Sequence, residues 1–167
     1  ERRPLAERCL VAFGSSSGPP MLPVLYNNHY AIVPGKDLVA VEVEMVHDTR
    51  LLRVGGAHEP ANVRKWMGDS VAHWEVETLV VDTVNFRPDQ TFRGASANMH
   101  VTERFTRIAP AQILYQFRVE DPATFVQPVE GEVAWNLTKD KIYEYACHEG
   151  NYALPGILAG ARNAEKQ

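Results

Sequence analysis

The sequence is poor in the features that build a nucleic-acid or membrane surface. Its 167 residues carry 17 Lys and Arg against 21 Asp and Glu, which gives a formal net charge of −4. Proteins that bind a phosphate backbone usually present a basic surface, so this balance argues against a nucleic-acid partner. Apolar runs such as residues 79–81 are far shorter than the ~20 residues that cross a bilayer. We therefore expect no membrane role.

Cysteine is also scarce. The chain has two, Cys9 and Cys147, near its opposite ends. Neither has a second cysteine at the spacing of a zinc site. From the residues alone two interpretations stay open: a disulfide that closes a very long loop, or two unrelated buried thiols.

Motifs of known chemistry are missing as well. The Gly-Ser-Ser-Ser-Gly run at 14–18 lacks the lysine and the helix of a phosphate-binding loop, and no HExxH motif occurs. The six histidines never stand at a metal-binding spacing. The sequence therefore predicts no metal and no cofactor. A metal site assembled in three dimensions from His47, His100 and His148 is the alternative.

What the sequence does contain is period-two alternation, which is typical of half-buried strands. The length fits one domain over residues 1–167, with 1–23 as an irregular N-terminal arm because of its prolines and glycines. A hairpin is predicted from 24–33 and 38–47 across the turn at 34–37. Further strands are predicted at 77–85, 99–107, 112–119, 128–137 and 141–148, and helices at 60–67 and 153–165.

This order of elements indicates a mostly β protein. Sequential hairpins with tight turns favour an antiparallel, calycin- or lipocalin-like β-barrel with one short helix and a C-terminal helical segment. A jelly-roll sandwich is the alternative.

Two titratable residues fall in phase with apolar ones and are therefore expected to point inward. His47 shares a face with residues 41, 43 and 45, and Glu103 shares one with residues 99, 101 and 105. An inward histidine is suited to acid–base chemistry, and a buried carboxyl either titrates at a raised pKa or forms an ion pair. The structural alternatives are a core histidine bonded to a carbonyl and a buried salt bridge from Glu103 to Arg50, Arg93 or Arg104.

The other candidate residues come from polar and aromatic segments at 26–30, 44–50 and 143–152, and from the inward face of strand 112–119. Segments that follow a strand often form the rim of a pocket. Structural alternatives are that Asn27 and Asn28 make a bulge or cap the start of a strand, and that His148 caps a turn. We expect His148 to join His47 and Glu103 as a catalytic residue, and the substrate to be bound by Tyr26, Asn28, Arg50, Tyr115, Tyr143, Asn151 and Tyr152.

Several segments together resemble a large group of signal-peptide-bearing hypothetical proteins from environmental bacteria. The resemblance spans nearly the whole chain. Its segments include LYNN at 25–28, EMVHDTR at 44–50, WMGDS at 66–70, TLVVDT at 78–83, FRG at 92–94, HVTERF at 100–105, VEDP at 119–122 and YEYACHEGNY at 143–152.

The resemblance implies a location rather than an activity. It implies an exported protein, periplasmic or extracellular, and such an oxidising compartment favours the Cys9–Cys147 disulfide. The chain departs from the group at His29, where asparagine is more frequent. It departs again at Val76, where glycine is usual.

The combined expectation is an enzyme that works on a small, partly apolar molecule inside the barrel. His47 and Glu103 would form the acid–base pair of a metal-free lyase, hydratase, isomerase or cyclase. The alternative is a lipocalin-like binding protein for a small apolar ligand, and a third hypothesis is an accessory interaction domain. A homodimer is compatible with the sequence.

Overall fold

The computed structural model describes residues 3–12, 16, 18–89 and 91–166. Of the predicted irregular arm, residues 16 and 18–23 lie in no helix or strand, as expected, whereas 13–15 and 17 lie outside the described residues. Within the described ranges, no helix is long and apolar enough to cross a membrane.

One eight-stranded sheet forms most of the molecule, with its strands paired in chain order. The sheet curls into a half-barrel, which confirms the prediction of a mostly β, barrel-like fold. The strands are β1 Tyr30–Pro34, β2 Leu38–Val43, β3 Thr49–Val54, β4 Asp69–Glu75, β5 Thr78–Val84, β6 His100–Ala109, β7 Gln112–Glu120 and β8 Val129–Asn136. A C-terminal helix, α1, spans Ala153–Ala164 and agrees with the predicted helix at 153–165.

Alternation places the core on the concave face of the sheet. Along β6, Val101, Glu103 and Phe105 are buried, and their neighbours in sequence are more exposed. In the register between β6 and β7, Phe105 lies opposite Tyr115. Buried and more exposed residues therefore alternate along β6 and β7, as the period of two in the sequence predicts.

The sheet is mixed, which corrects the expectation of a wholly antiparallel one. β3 and β4 pair in parallel, whereas the other six neighbouring pairs are antiparallel. A parallel pair needs a crossover connection, and residues 55–68 provide it. The helix predicted at 60–67 is wrong, because Lys65 instead donates its amide to the carbonyl of Asn85 and bridges to Phe86.

The strand predicted at 141–148 is also wrong. In the structure this segment has no strand pairing. Its backbone is held by other contacts: Tyr143 donates its amide to the carboxylate of Glu44, and Cys147 is bonded to Cys9. The predicted Cys9–Cys147 disulfide is confirmed, and it joins the N-terminal arm to the segment that precedes α1.

Aromatic rings close the gap between the first and the last strand. In the part of the chain that the structure describes, β1 and β8 share no backbone pairing. Tyr30 of β1 nevertheless stacks on Trp135 of β8 with 4.6 Å between ring centroids, and Trp135 stacks on Tyr115 at 4.8 Å. The three rings form a continuous aromatic wall along this seam.

Val76 occupies the two-residue turn between β4 and β5 in an unfavourable conformation. Its φ is +56°, in the left-handed region, and its side chain is 97% exposed. A β-branched residue in this region costs about 1–2 kcal/mol relative to glycine, since its Cβ approaches the neighbouring carbonyl. The side chain contributes no burial that would offset the strain.

We predict that Val76→Gly raises the free energy of unfolding by about 1 kcal/mol, because it relieves this strain. Urea unfolding followed by circular dichroism measures the change. Val126→Gly is the matched control, since Val126 is fully exposed and does not have a positive φ. A loss of stability in Val76→Gly equal to that of the control would contradict the prediction.

Candidate functional site

A buried ion pair lies at the centre of the half-barrel. Arg50 comes from β3 and Glu103 from β6, and their exposed fractions are 2% and 0%. Arg50 Nη1 donates to Glu103 Oε1 at 2.9 Å, and Nη2 donates to Oε2 at 2.6 Å. This bidentate geometry is the strongest form of an arginine–carboxylate contact. Of the alternatives left open for Glu103, the structure shows the salt bridge with Arg50.

Further hydrogen bonds extend the ion pair into a network. Tyr115 Oη donates to Glu103 Oε1 at 2.7 Å and accepts from the amide of Met21, also at 2.7 Å. On the other side, Arg50 Nη2 donates to Ser70 Oγ at 3.3 Å. The network therefore connects the sheet to the N-terminal arm.

The electrostatics of the network keep its tyrosines protonated. Burial alone would lower the pKa of Arg50, but attraction to Glu103 outweighs it and the pKa is raised. Burial raises the pKa of Tyr30 to about 12, although Arg50 acts in the opposite direction. The pKa of Tyr115 is raised well above its ordinary value, first by burial and then by the charge of Glu103. Both phenols are therefore hydrogen-bond donors at neutral pH.

One donor of this network has no acceptor. Arg50 Nε is buried and has no hydrogen-bond partner among the residues that the structure describes. A buried donor without a partner costs on the order of 1–3 kcal/mol, and such groups are rare in folded proteins. The arm approaches the guanidinium at Gly18, where a Cβ would lie 3.1 Å from Arg50 Nη1.

His47 lies outside this site. The prediction that its side chain points inward is wrong. β2 ends at Val43, and the chain then turns with Val46 and His47 both at positive φ. The turn breaks the period of two and leaves His47 exposed. The structure therefore does not bring the predicted acid–base pair, His47 and Glu103, together.

The same turn buries Glu44, which the alternation had placed on the solvent side. Glu44 is 4% exposed, accepts from the amide of Tyr143 at 3.3 Å and lies 3.1 Å from His29 Nδ1. Burial raises the pKa of Glu44, but the hydrogen bonds from Tyr143 and His29 lower it below its ordinary value. No polarity pattern in the sequence indicates this burial.

The other predicted site residues are spread along the rim. The Asn28 side chain both accepts from the amide of Val24 and donates to its carbonyl at 2.7 Å, so it stabilises a local turn ahead of β1. Asn151 donates to the carbonyl of Glu7 and borders a surface cleft of about 500 Å³ beside the disulfide. The remaining four are exposed: Tyr26, Tyr143, His148 and Tyr152. Of the predicted set, the structure assembles Arg50, Glu103 and Tyr115.

A second polar cluster on the convex face was missed by sequence reasoning. His58, in the crossover loop, lies 3.2 Å from the buried Asp69 through Nδ1 and 2.7 Å from Asp82 through Nε2. His100 also contacts Asp82, and this hydrogen bond raises the pKa of His100. Both ring nitrogens of His58 are engaged, so the cluster fixes the loop on the sheet rather than presenting a free base. The wide sequence spacing of the four residues gives no motif.

Neither cluster forms a metal site. Within the described residues, no three histidine, cysteine or carboxylate side chains are arranged to hold a metal ion. The alternative site from His47, His100 and His148 is therefore not assembled. His100 faces Asp82 on the convex side, whereas the other two are exposed elsewhere.

Comparison with known proteins adds no assignment. No protein-family model, no curated protein and no solved structure matches the chain.

We predict that Glu103→Gln lowers the free energy of unfolding by about 3–5 kcal/mol, because it leaves the charge of Arg50 buried without a counter-ion. Chemical denaturation measures the loss. The control is Glu130→Gln, which removes the exposed partner of Arg118 and should cost no more than about 1 kcal/mol.

The double variant Arg50→Met with Glu103→Leu separates charge from packing. Because both charges are removed and apolar volume is retained, its stability should exceed that of Glu103→Gln by at least about 2 kcal/mol. A double variant as unstable as the single one would contradict the assignment of the loss to an unpaired charge.

Proposed function

We propose that the protein binds one small, partly apolar molecule on the concave face of the half-barrel, beside Arg50. The observation that supports this proposal is the buried Nε–H of Arg50, which has no acceptor among the described residues. A ligand oxygen placed there would remove the energetic penalty of the unpaired donor. The binding alternative is preferred to acid–base catalysis because Glu103 is engaged by two partners and His47 lies outside.

The aromatic wall supplies the apolar half of the proposed site. Tyr30 and Trp135 are partly exposed at the seam and meet Tyr115 deeper in the fold. Flat rings bind apolar surface with little loss of side-chain entropy. The wall and Arg50 belong to one region, since Tyr115 stacks on Trp135 and also donates to Glu103, the partner of Arg50.

The charge balance of the network favours a neutral ligand group. Glu103 already neutralises Arg50 in a bidentate pair. A ligand carboxylate at Arg50 Nε would add a second negative charge next to Glu103, in a region where desolvation penalises charge. A carbonyl or amide oxygen meets the donor without that penalty. We therefore propose an apolar molecule with a carbonyl or amide group as the ligand.

We also propose that the protein is exported, periplasmic or extracellular. The Cys9–Cys147 disulfide supports this location, because disulfides persist mainly in oxidising compartments.

The binding proposal predicts that prodan, a neutral naphthyl ketone with polarity-sensitive fluorescence, binds saturably at one molecule per chain. Trp135→Leu should weaken this binding about tenfold, because one wall of the site is lost. Trp74→Leu is the matched control, since Trp74 is 57% exposed and lies on β4 away from the seam. Fluorescence titration of the two folded variants measures both affinities.

Two outcomes would contradict the proposal. One is the absence of saturable binding to the native chain. The other is an equal loss of affinity in the two tryptophan variants, which would place the probe on an unspecific apolar surface. An anionic naphthalene sulfonate should bind more weakly than prodan, and the reverse order would contradict the preference for a neutral group.

A further inference from the structure

We propose that the ligand of this site is a peptide, and that Ser16 and residues 18–24 of the chain occupy the site as an internal copy of it. The inference rests on the proposed function, since it names the chemical class of the ligand for the same concave face. Residues 18–24 read Gly-Pro-Pro-Met-Leu-Pro-Val.

The site contacts the arm through peptide groups. Tyr115 Oη accepts from the amide of Met21 at 2.7 Å, and Tyr30 Oη donates to the carbonyl of Ser16 at 3.2 Å. One tyrosine thus recognises a backbone donor and the other a backbone acceptor. A pair of contacts of this kind suits any peptide that presents an N–H and a C=O at the same separation.

The sequence of the arm suits this mode of binding. Proline has no amide hydrogen, so Met21 carries the single backbone donor of residues 19–21, and this donor is the one that Tyr115 uses. The Met21 side chain is fully buried.

The arm fills the site incompletely. Its described residues pair with no strand of the sheet, and within the described part of the chain Arg50 Nε remains without an acceptor. A second peptide that also offers a carbonyl to Arg50 would make one contact more than the arm does. Such a peptide would compete with the arm for the same contacts and gain this one in addition.

Gly18 offers a way to release the arm without changing the site. Its φ is +81°, and a Cβ there would lie 2.5 Å from Met21 Cγ and 3.1 Å from Arg50 Nη1. Gly18→Ala is therefore both strained and crowded. Gly56 is a matched control, because its φ is +87° but a Cβ there meets nothing within 4 Å.

The experiment measures binding of a labelled peptide with the sequence of residues 16–24 by fluorescence anisotropy. We expect Gly18→Ala to bind it at least tenfold more tightly than the native chain does, because the internal copy no longer competes. Gly56→Ala should behave like the native chain. A peptide with aspartate in place of the methionine should not bind, since the buried apolar contact is lost.

Equal peptide affinity of Gly18→Ala and the native chain would overturn the inference. If prodan still binds in that case, the proposed function stands and the peptide class alone fails. If neither binds, both proposals fail. If Gly18→Ala does not fold, Met21→Ala is the second variant, because it releases the arm by removing its buried side chain. We expect Met21→Ala to bind the peptide at least tenfold more tightly than the native chain does. If a variant forms a dimer in which the arm of one copy occupies the site of the other, the peptide should convert the dimer to monomers. A dimer that resists the peptide also overturns the inference.

Discussion

The structure depends on an ion pair in a place where charge is costly. Arg50 and Glu103 connect β3 to β6 across the interior, and both are removed from water almost completely. Coulombic attraction offsets the desolvation of such a pair only when the geometry is good and the remaining donors and acceptors are satisfied. Tyr115 and Ser70 contribute to this, and the N-terminal arm covers the pair through Met21. Apolar side chains of similar volume often stabilise such a position as well as an ion pair does.

The same pair connects the fold to the proposed activity. The bidentate contact fixes the guanidinium plane, and this leaves Nε as a donor held rigidly next to an aromatic wall. A rigid donor and flat rings bind a ligand with little ordering of the protein on association. The arm lies outside the sheet, and it reaches the site through the contacts of Met21 with Tyr115 and of Ser16 with Tyr30. In the proposed function, covering and binding would use groups of the same chemistry at one surface.

Sequence reasoning succeeded where a strand continued and failed where it stopped. Along β6 the period of two identified Glu103 as inward, and its partner Arg50 was among three named arginines. His47 followed the same rule but lies beyond the end of β2, where positive φ values at Val46 and His47 redirect the side chains. The sequence gives no sign of this turn, because positive φ is usually marked by glycine and neither Val46 nor His47 is one. The parallel pairing of β3 and β4 was missed for a related reason: it depends on a crossover loop whose contacts are long-range, such as His58 with Asp82.

The most direct test of this account observes the Arg50 Nε–H group itself. A nitrogen–proton correlation spectrum of the native chain, assigned with Arg50→Lys, should show this resonance protected from solvent exchange, as expected for a buried donor. Titration of the Gly18→Ala variant with the peptide of residues 16–24 should then shift it saturably, with the same midpoint as the anisotropy curve. An Arg50 resonance that exchanges rapidly with water, or that stays unmoved while the peptide saturates, would show that ligands do not bind at the buried arginine.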